Sequence, residues 1–263
     1  MLKAILTRFR QGHRTMAYPD APQPLPPRFR GLPLLDASRC SDGCRRVCAE
    51  ACPYGAISAS GPLTLDMGKC LFCCECQHAC PQGAIAFTRE YQLAAAHRQD
   101  LKIHESGQPV PEILCETARK VFRRSLKLRQ VSAGGCNACE ADTNVLGTVA
   151  WDLGRFGIQF VASPRHADGL LITGPVTENM RLALEKTYAA VPPPRIVIAV
   201  GACAVNGGPY IDHPEVHNGA PAVLPVDLFV PGCPPHPLTI LDGLLRFLGK
   251  GAEASAATGQ PAG

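Results

Sequence analysis

KCLFCCECQHACP, residues 69–81, is the stretch from which the rest of the chain is read. Its cysteines run Cys70-x2-Cys73-x2-Cys76-x3-Cys80-Pro81, a spacing that presents thiolates to the irons of a [4Fe–4S] cube. Three cysteines two residues apart let one tight loop reach three irons. The fourth, beside a proline, lies too far along to close the same cube and serves a neighbouring one. Upstream, RCSDGCRRVCAEACP (39–53) reads Cys40-x3-Cys44-x3-Cys48-x3-Cys52-Pro53, one residue longer in each of its first two gaps. Nine of the fourteen cysteines fall between Cys40 and Cys80. Each run closes on a near-repeat, Pro53-Tyr-Gly-Ala-Ile57 and Pro81-Gln-Gly-Ala-Ile85, the sign of a duplicated, pseudo-symmetric module.

Over about residues 35–90 these motifs resemble the bacterial dicluster ferredoxin family. The preceding segment, MLKAILTRFRQG…YPDAPQPLPPRFRG, is similar to the start of the ferredoxin-like subunit of formate hydrogenlyase. The resemblance implies an α+β dicluster ferredoxin module. It also implies a crossed ligand assignment, with Cys40, Cys44, Cys48 and Cys80 holding one cluster and Cys70, Cys73, Cys76 and Cys52 the other. Cys74 is surplus. The widened first run departs from the family pattern and predicts a different loop geometry there. Zinc competes for such cysteines, but it is satisfied by four ligands, usually two separated pairs. Eight cysteines in four-fold sets, each ending in Cys-Pro, fit cubes better.

Composition narrows the class. Of 263 residues 46% are hydrophobic and 18% charged, which predicts a globular protein with a sizeable core. The net charge of +4 is mild and aromatics are sparse, so nucleic acid is not an expected partner. No apolar run approaches the ~20 residues of a membrane-spanning helix, and the N-terminus is too short in apolar residues for a secretory signal. Fourteen cysteines in metal-ligand spacings therefore read as thiolates in a reducing cytoplasm, not as disulfides. No Gly-x-Gly-x-x-Gly follows a strand, and no P-loop or catalytic triad is visible. Bond chemistry is expected on another chain.

The chain divides into five parts. Residues 1–34 predict an amphipathic helix, with Leu2, Ile5, Leu6 and Phe9 on one face, and a proline-dense strap over 18–33. Such a helix suits packing on its own domain or a foot on a membrane subunit or membrane surface. Residues 35–90 are the cysteine-rich module, and 91–130 a basic helical connector, helical over Glu112–Arg129 with Cys115 as a small buried residue. Residues 131–249 alternate strands (158–162, 169–173, 196–200, 226–230) with helices (142–154, 178–190, 237–248). That pattern predicts an α/β doubly wound, flavodoxin-like domain. Residues 250–263 predict a disordered tail. Ligands of doubly wound sheets sit beyond the carboxyl ends of strands. Cys203 and Cys233 each follow a strand there, and Cys136 and Cys139 lie at the entrance to the first helix. Four thiolates from three loops suffice for a third cube, and twelve of the fourteen cysteines are then assigned.

Over roughly 126–249 the motifs GGCNACE, SPRHAD, LLITGPVT, AVGACAVNGGPY and PVDLFVPGCPPHP resemble the small-subunit family shared by membrane-bound [NiFe] hydrogenases and the cluster-bearing subunit of NADH:quinone oxidoreductase (complex I). The resemblance implies that Cys136, Cys139, Cys203 and Cys233 hold the last cluster before a catalytic centre on a large partner subunit. The complex I branch has two adjacent cysteines at the first position. Cys136-x2-Cys139 and His166 match the hydrogenase branch, and Asp142 departs from the Glu usual there. Glu140 matches an acidic position near the subunit interface, where it either assists proton movement or serves as an N-terminal helix carboxylate. The two resemblances together imply an oxidoreductase electron-transfer subunit with three [4Fe–4S] clusters, in a membrane-associated group 4, formate-hydrogenlyase-like complex. Its partners would be the large subunit, membrane-arm subunits and a soluble electron donor or dehydrogenase. It would sit in the cytoplasm, peripheral on the inner membrane through those subunits. A quinone-reducing complex of the complex I type and a hydrogenase-related complex without nickel are the alternatives.

Overall fold

The computed structural model describes residues 2–12, 14–21, 23–40, 42–104, 116–122 and 125–250. Helix α1 (Leu2–Gln11) carries the expected apolar face, but Leu2, Ile5, Leu6 and Phe9 are all exposed and the helix buries no residue. Packing on its own domain is therefore not its role among the described residues. Among its described residues the strap then runs without helix or strand to β1 (Pro33–Leu35), since its prolines lack the N–H that either structure needs.

The cysteine-rich module comprises α2 (Asp42–Glu50), β2 (Ile57–Ser58), β3 (Thr64–Asp66), α3 (Glu75–Ala79), β4 (Ile85–Phe87) and β5 (Lys102–His104), with β1 added at its start. Strand β1 pairs antiparallel with β4, and β2, β3 and β5 form a second antiparallel sheet. The sequence duplication is visible atom by atom. Ala56 N–H donates to Cys52 Sγ at 3.3 Å and Ala84 N–H to Cys80 Sγ at 3.2 Å. Gly55 and Gly83 take left-handed backbone at φ 57 and 62, and the buried Ile57 and Ile85 open β2 and β4. One turn has been used twice.

The connector differs from expectation. Helix α4 (Glu116–Phe122) is followed by β6 (Leu126–Ser132), so the helix predicted through Arg129 gives way to a strand. Leu126 and Leu128 are buried while Lys127 is exposed, a period of two within a basic run that short-range pattern reads equally as helix. Residues 105–115, and with them Cys115, lie outside the described residues. Earlier in the connector, Ala95 and Phe229 exchange backbone hydrogen bonds of 3.0 and 2.8 Å, and β5 completes the N-terminal sheet. The first module's pairing thus reaches His104, beyond the boundary read at residue 90.

After β6 come α5 (Ala138–Val145), β7 (Ile158–Phe160), β8 (Gly169–Thr173), α6 (Glu178–Ala190), β9 (Ile196–Val200), α7 (Ala202–Asn206), β10 (Leu228–Val230) and α8 (Pro237–Phe247). Helix α5 stops short of the span predicted to 154. The five strands are parallel, in the order β7-β6-β8-β9-β10. Counted from β6 this is 2-1-3-4-5, the flavodoxin-type order. Both faces are covered, which is why the strands are nearly all apolar. Leu170, Ile172, Val197 and Ala199 join the cluster containing Leu184 of α6, while Leu171, Ile198, Val200 and Val230 join Leu241, Leu244 and Leu245 of α8.

The modules meet at Asp242, which is fully buried on α8. Its carboxylate accepts from Tyr18 Oη of the strap (3.0 Å), Gln92 Nε2 of the connector (3.1 Å) and Arg246 Nε (2.7 Å). Asp242→Ala leaves three buried or half-buried donors without their acceptor. It is expected to lower unfolding stability by roughly 3–5 kcal/mol, measured as a shift in the denaturant midpoint.

Candidate functional site

The third cysteine set is built by the strand ends. Beyond β6 the chain turns through Gly134 and Gly135 to Cys136. Asn137 at φ 71 then starts α5, with Cys139 in its first turn. Cys203 lies in α7 directly beyond β9, and Cys233 follows β10. The side chains converge. Burial pushes the Cys139 thiol up, and Cys203, Glu140, Cys233 and Cys136 push it further. Cys203 is pushed up to about 12 by burial, with Cys233 and Cys136 adding. Cys203 is buried whereas Cys136 and Cys233 are exposed, so the set opens onto the surface. Gly201, at φ 90, is required here because a Cβ would lie 2.4 Å from Cys139 Sγ.

The N-terminal cysteines cross between runs. Burial and then Cys80 raise the Cys44 thiol, and burial, Cys80 and Cys40 raise Cys48. Burial pushes Cys70 up to about 12; the Phe72 N–H opposes it, and Cys76, Cys52 and Cys73 add. Cys76 is pushed up to about 12 by burial, then by Cys52 and Cys73. Cys80 therefore stands with the first run and Cys52 with the second. The widened spacing has a local explanation. Helix α2 runs through the first set and places Cys44 and Cys48 one turn apart on one face. The tighter second run is instead a loop with Phe72 and Cys74 at φ 55 and 69, leading into α3. Cys74 is buried beside Cys73.

These donor sets suit iron and sulfide. They are all thiol, the softest ligand choice. Backbone N–H groups of Phe72, Ala56 and Ala84 point at Cys70, Cys52 and Cys80 Sγ at 3.2–3.3 Å, which favours the thiolate. Among the described residues no three His, Cys, Asp or Glu side chains crowd around one metal-ion position. Cys52, Cys70, Cys73 and Cys76 line a common cavity with Leu65 and Phe87.

Glu140 is buried, and its Oε1 accepts from Ser132 Oγ and Thr173 Oγ1, both at 2.6 Å. Burial pushes the carboxyl up, but the two hydroxyls and its own N–H outweigh that and hold it below the usual carboxylate range. Ser132 and Thr173 end β6 and β8, so the carboxylate ties α5 to the two central strands. His166 is exposed on the turn before β8, at the opposite edge of the sheet from the cysteines.

Residues 136–247 match the family described as NADH ubiquinone oxidoreductase, 20 Kd subunit. A probable membrane-bound hydrogenase subunit of Pyrococcus furiosus is 42% identical over 134 residues, covering 51% of this chain and 80% of the relative. The chain belongs to the 20 Kd subunit family. An NADH-quinone oxidoreductase subunit of Clostridium beijerinckii is 43% identical over 117 residues, covering 44% of this chain and 69% of its own length. Formate hydrogenlyase subunit 7 of Escherichia coli is 40% identical over 151 residues, 55% of this chain and 59% of that subunit. The protein is thus a member of an oxidoreductase family. The family match holds all four cysteines of the third set, and the two N-terminal runs lie outside it.

Sequence reading missed Ser132, Thr173 and Gly201, which carry no ligand chemistry of their own and matter only through their neighbours. Gly201→Ala displaces Cys139 Sγ. After anaerobic reconstitution it is expected to bind less iron than the wild type, because the third cysteine set is disturbed. Gly61→Ala, where an added Cβ meets open space, is the control expected to keep its iron.

Proposed function

We propose that the chain is the iron–sulfur electron-transfer subunit of a membrane-associated group 4, formate-hydrogenlyase-like [NiFe] hydrogenase complex, built as a dicluster ferredoxin module fused to a hydrogenase small subunit. The observation that carries this reading is the convergence of twelve thiols into three sets, the third at the carboxyl edge of a parallel sheet. In it, Cys40, Cys44, Cys48 and Cys80 hold the first [4Fe–4S] cluster. Cys70, Cys73, Cys76 and Cys52 hold the second, and Cys136, Cys139, Cys203 and Cys233 the third. When bound, such clusters supply one-electron carriers whose potentials follow burial and hydrogen bonds to sulfur.

The protein's own residues then do three things. The apolar packing around Cys70 and Cys76 keeps water from the second set, the N–H groups of Phe72, Ala56 and Ala84 stabilise sulfur charge, and exposed Cys136 and Cys233 present the third set to a partner. The N-terminal module takes electrons from a soluble donor or dehydrogenase subunit, or returns them. The sheet domain exchanges them with a large subunit that holds the catalytic centre. No helix among the described residues is long and apolar enough to cross a membrane; in this reading membrane-arm subunits on the cytoplasmic face supply the attachment.

A complex I-type quinone oxidoreductase is the second reading, favoured by the 43% identity to the Clostridium beijerinckii protein. The Cys136-x2-Cys139 spacing favours the hydrogenase. Two terminal Cys-x2-Cys pairs in the accompanying large subunit would mark a nickel site, and their absence would sink the hydrogenase assignment.

Anaerobically purified protein is expected to carry about twelve irons and as many sulfides per chain; a colourless zinc protein would end the electron-transfer reading. Cys136→Ser is expected to preserve the EPR signals of the N-terminal sets while abolishing electron delivery in the complex. Full turnover by that variant would overturn the role given to the third set.

A further inference from the structure

The strap ahead of β1 passes between two cysteine loops that belong to different modules. Arg30 Nη1 donates to the carbonyl oxygens of Phe72 at 2.9 Å and Cys73 at 3.2 Å, in the loop of the second set. One residue earlier, the Phe29 ring meets His236 edge-on, with centroids 5.4 Å apart and planes at 80°. His236 lies three residues past Cys233 and is fixed in turn. Its Nδ1 accepts from Leu238 N–H at 3.1 Å as the cap of α8, and Trp151 meets its ring at 6.1 Å. A cleft of about 360 Å³ lies here, with Arg30, Phe72 and Cys73 lining one part and Cys233, Pro234 and His236 another. Two adjacent strap residues thus grip both walls of the space between the second and third sets.

Their chemistry differs. Phe29 offers only shape. Arg30 offers two hydrogen bonds to the ligand loop and a charge that is never lost near neutral pH. A fixed cation beside thiolate ligands stabilises the more negative, reduced form of whatever they hold, and local charge is one of the terms that set a cluster's potential. Arg30 is exposed, so solvent and salt screen the effect without removing it.

We propose that Phe29 and Arg30 form a bridge holding the Cys70–Cys73 loop against the Cys233 loop, and that Arg30 raises the reduction potential of the second set. This rests on reading the cysteine sets as cluster sites.

The test compares full-length wild type, Arg30→Gln, Arg30→Lys and Phe29→Ala, purified anaerobically, by iron analysis and EPR-monitored redox titration. Arg30→Gln is expected to keep its iron and to make one of the three midpoints more negative, by about tenfold in the reduction equilibrium, or ~59 mV for one electron. Arg30→Lys should retain most of the wild-type value. Loss of about a third of the iron in Arg30→Gln, recovered in Arg30→Lys, would make Arg30 a holder of the loop and overturn its role in setting the potential. Full iron with three unmoved midpoints in Arg30→Gln would overturn it, as would equal changes in the Gln and Lys variants. Phe29→Ala should leave the midpoints in place and weaken the magnetic coupling between the second and third sets; unchanged coupling would remove Phe29 from the bridge. Wild-type protein without iron would instead defeat the cluster reading itself, before any variant is compared.

Discussion

Bringing buried thiols together from distant parts of the chain is the constraint on which this structure depends. Cys80 stands with Cys44 and Cys48, and Cys52 with Cys70 and Cys76, so each N-terminal half reaches into the other. Burial and mutual proximity raise the Cys44, Cys48, Cys70 and Cys76 thiols, while the N–H groups of Ala56 and Ala84 donate to Cys52 and Cys80 Sγ. For Cys80 the N–H groups of Ala84, Gln82 and Ile85 and the Cys44 thiol outweigh burial, and its thiol lies below the usual range. Repeating one Cys-Pro-x-Gly-Ala turn is what supplies that donor twice. The two halves are interlocked.

A second crossing joins the modules. Ala95 pairs with Phe229 along β10, which covers an otherwise open sheet edge. Asp242 gathers the strap, the connector and α8 on one buried carboxylate. The strap is therefore anchored at Asp242 through Tyr18 and at the Cys70–Cys73 loop through Arg30, among other contacts.

In the sheet domain, Glu140 shows how a functional edge is stiffened. Its carboxylate receives hydroxyls from the last residues of β6 and β8, so the helix carrying Cys139 is bolted to the place where the strand order reverses. The exposed Cys136 and Cys233 flank the inner cysteines. The surface there is where a partner must seat if it is to lie near the set.

The sequence alone determined the local and periodic features: the duplicated turn, the strands Gly169–Thr173 and Ile196–Val200 and helix Glu178–Ala190 to the residue, and which cysteines stand at strand ends. These are set by short-range spacing and by apolar pattern, which a chain carries wherever it folds. The tertiary structure decided what depends on neighbours. Leu126–Ser132 became the central strand because β7 and β8 pair with it on either side. The x3 spacing of the first run became a helix face, and Gly201 became obligatory through a sulfur 62 residues earlier in the chain, at Cys139. Arg30 and Asp242 acquired their roles only when the strap was laid across both modules. Hydrogen bonds between residues far apart in the chain leave no periodic trace in it, and for that reason the cysteines were legible in advance while the groups that hold them in place were not.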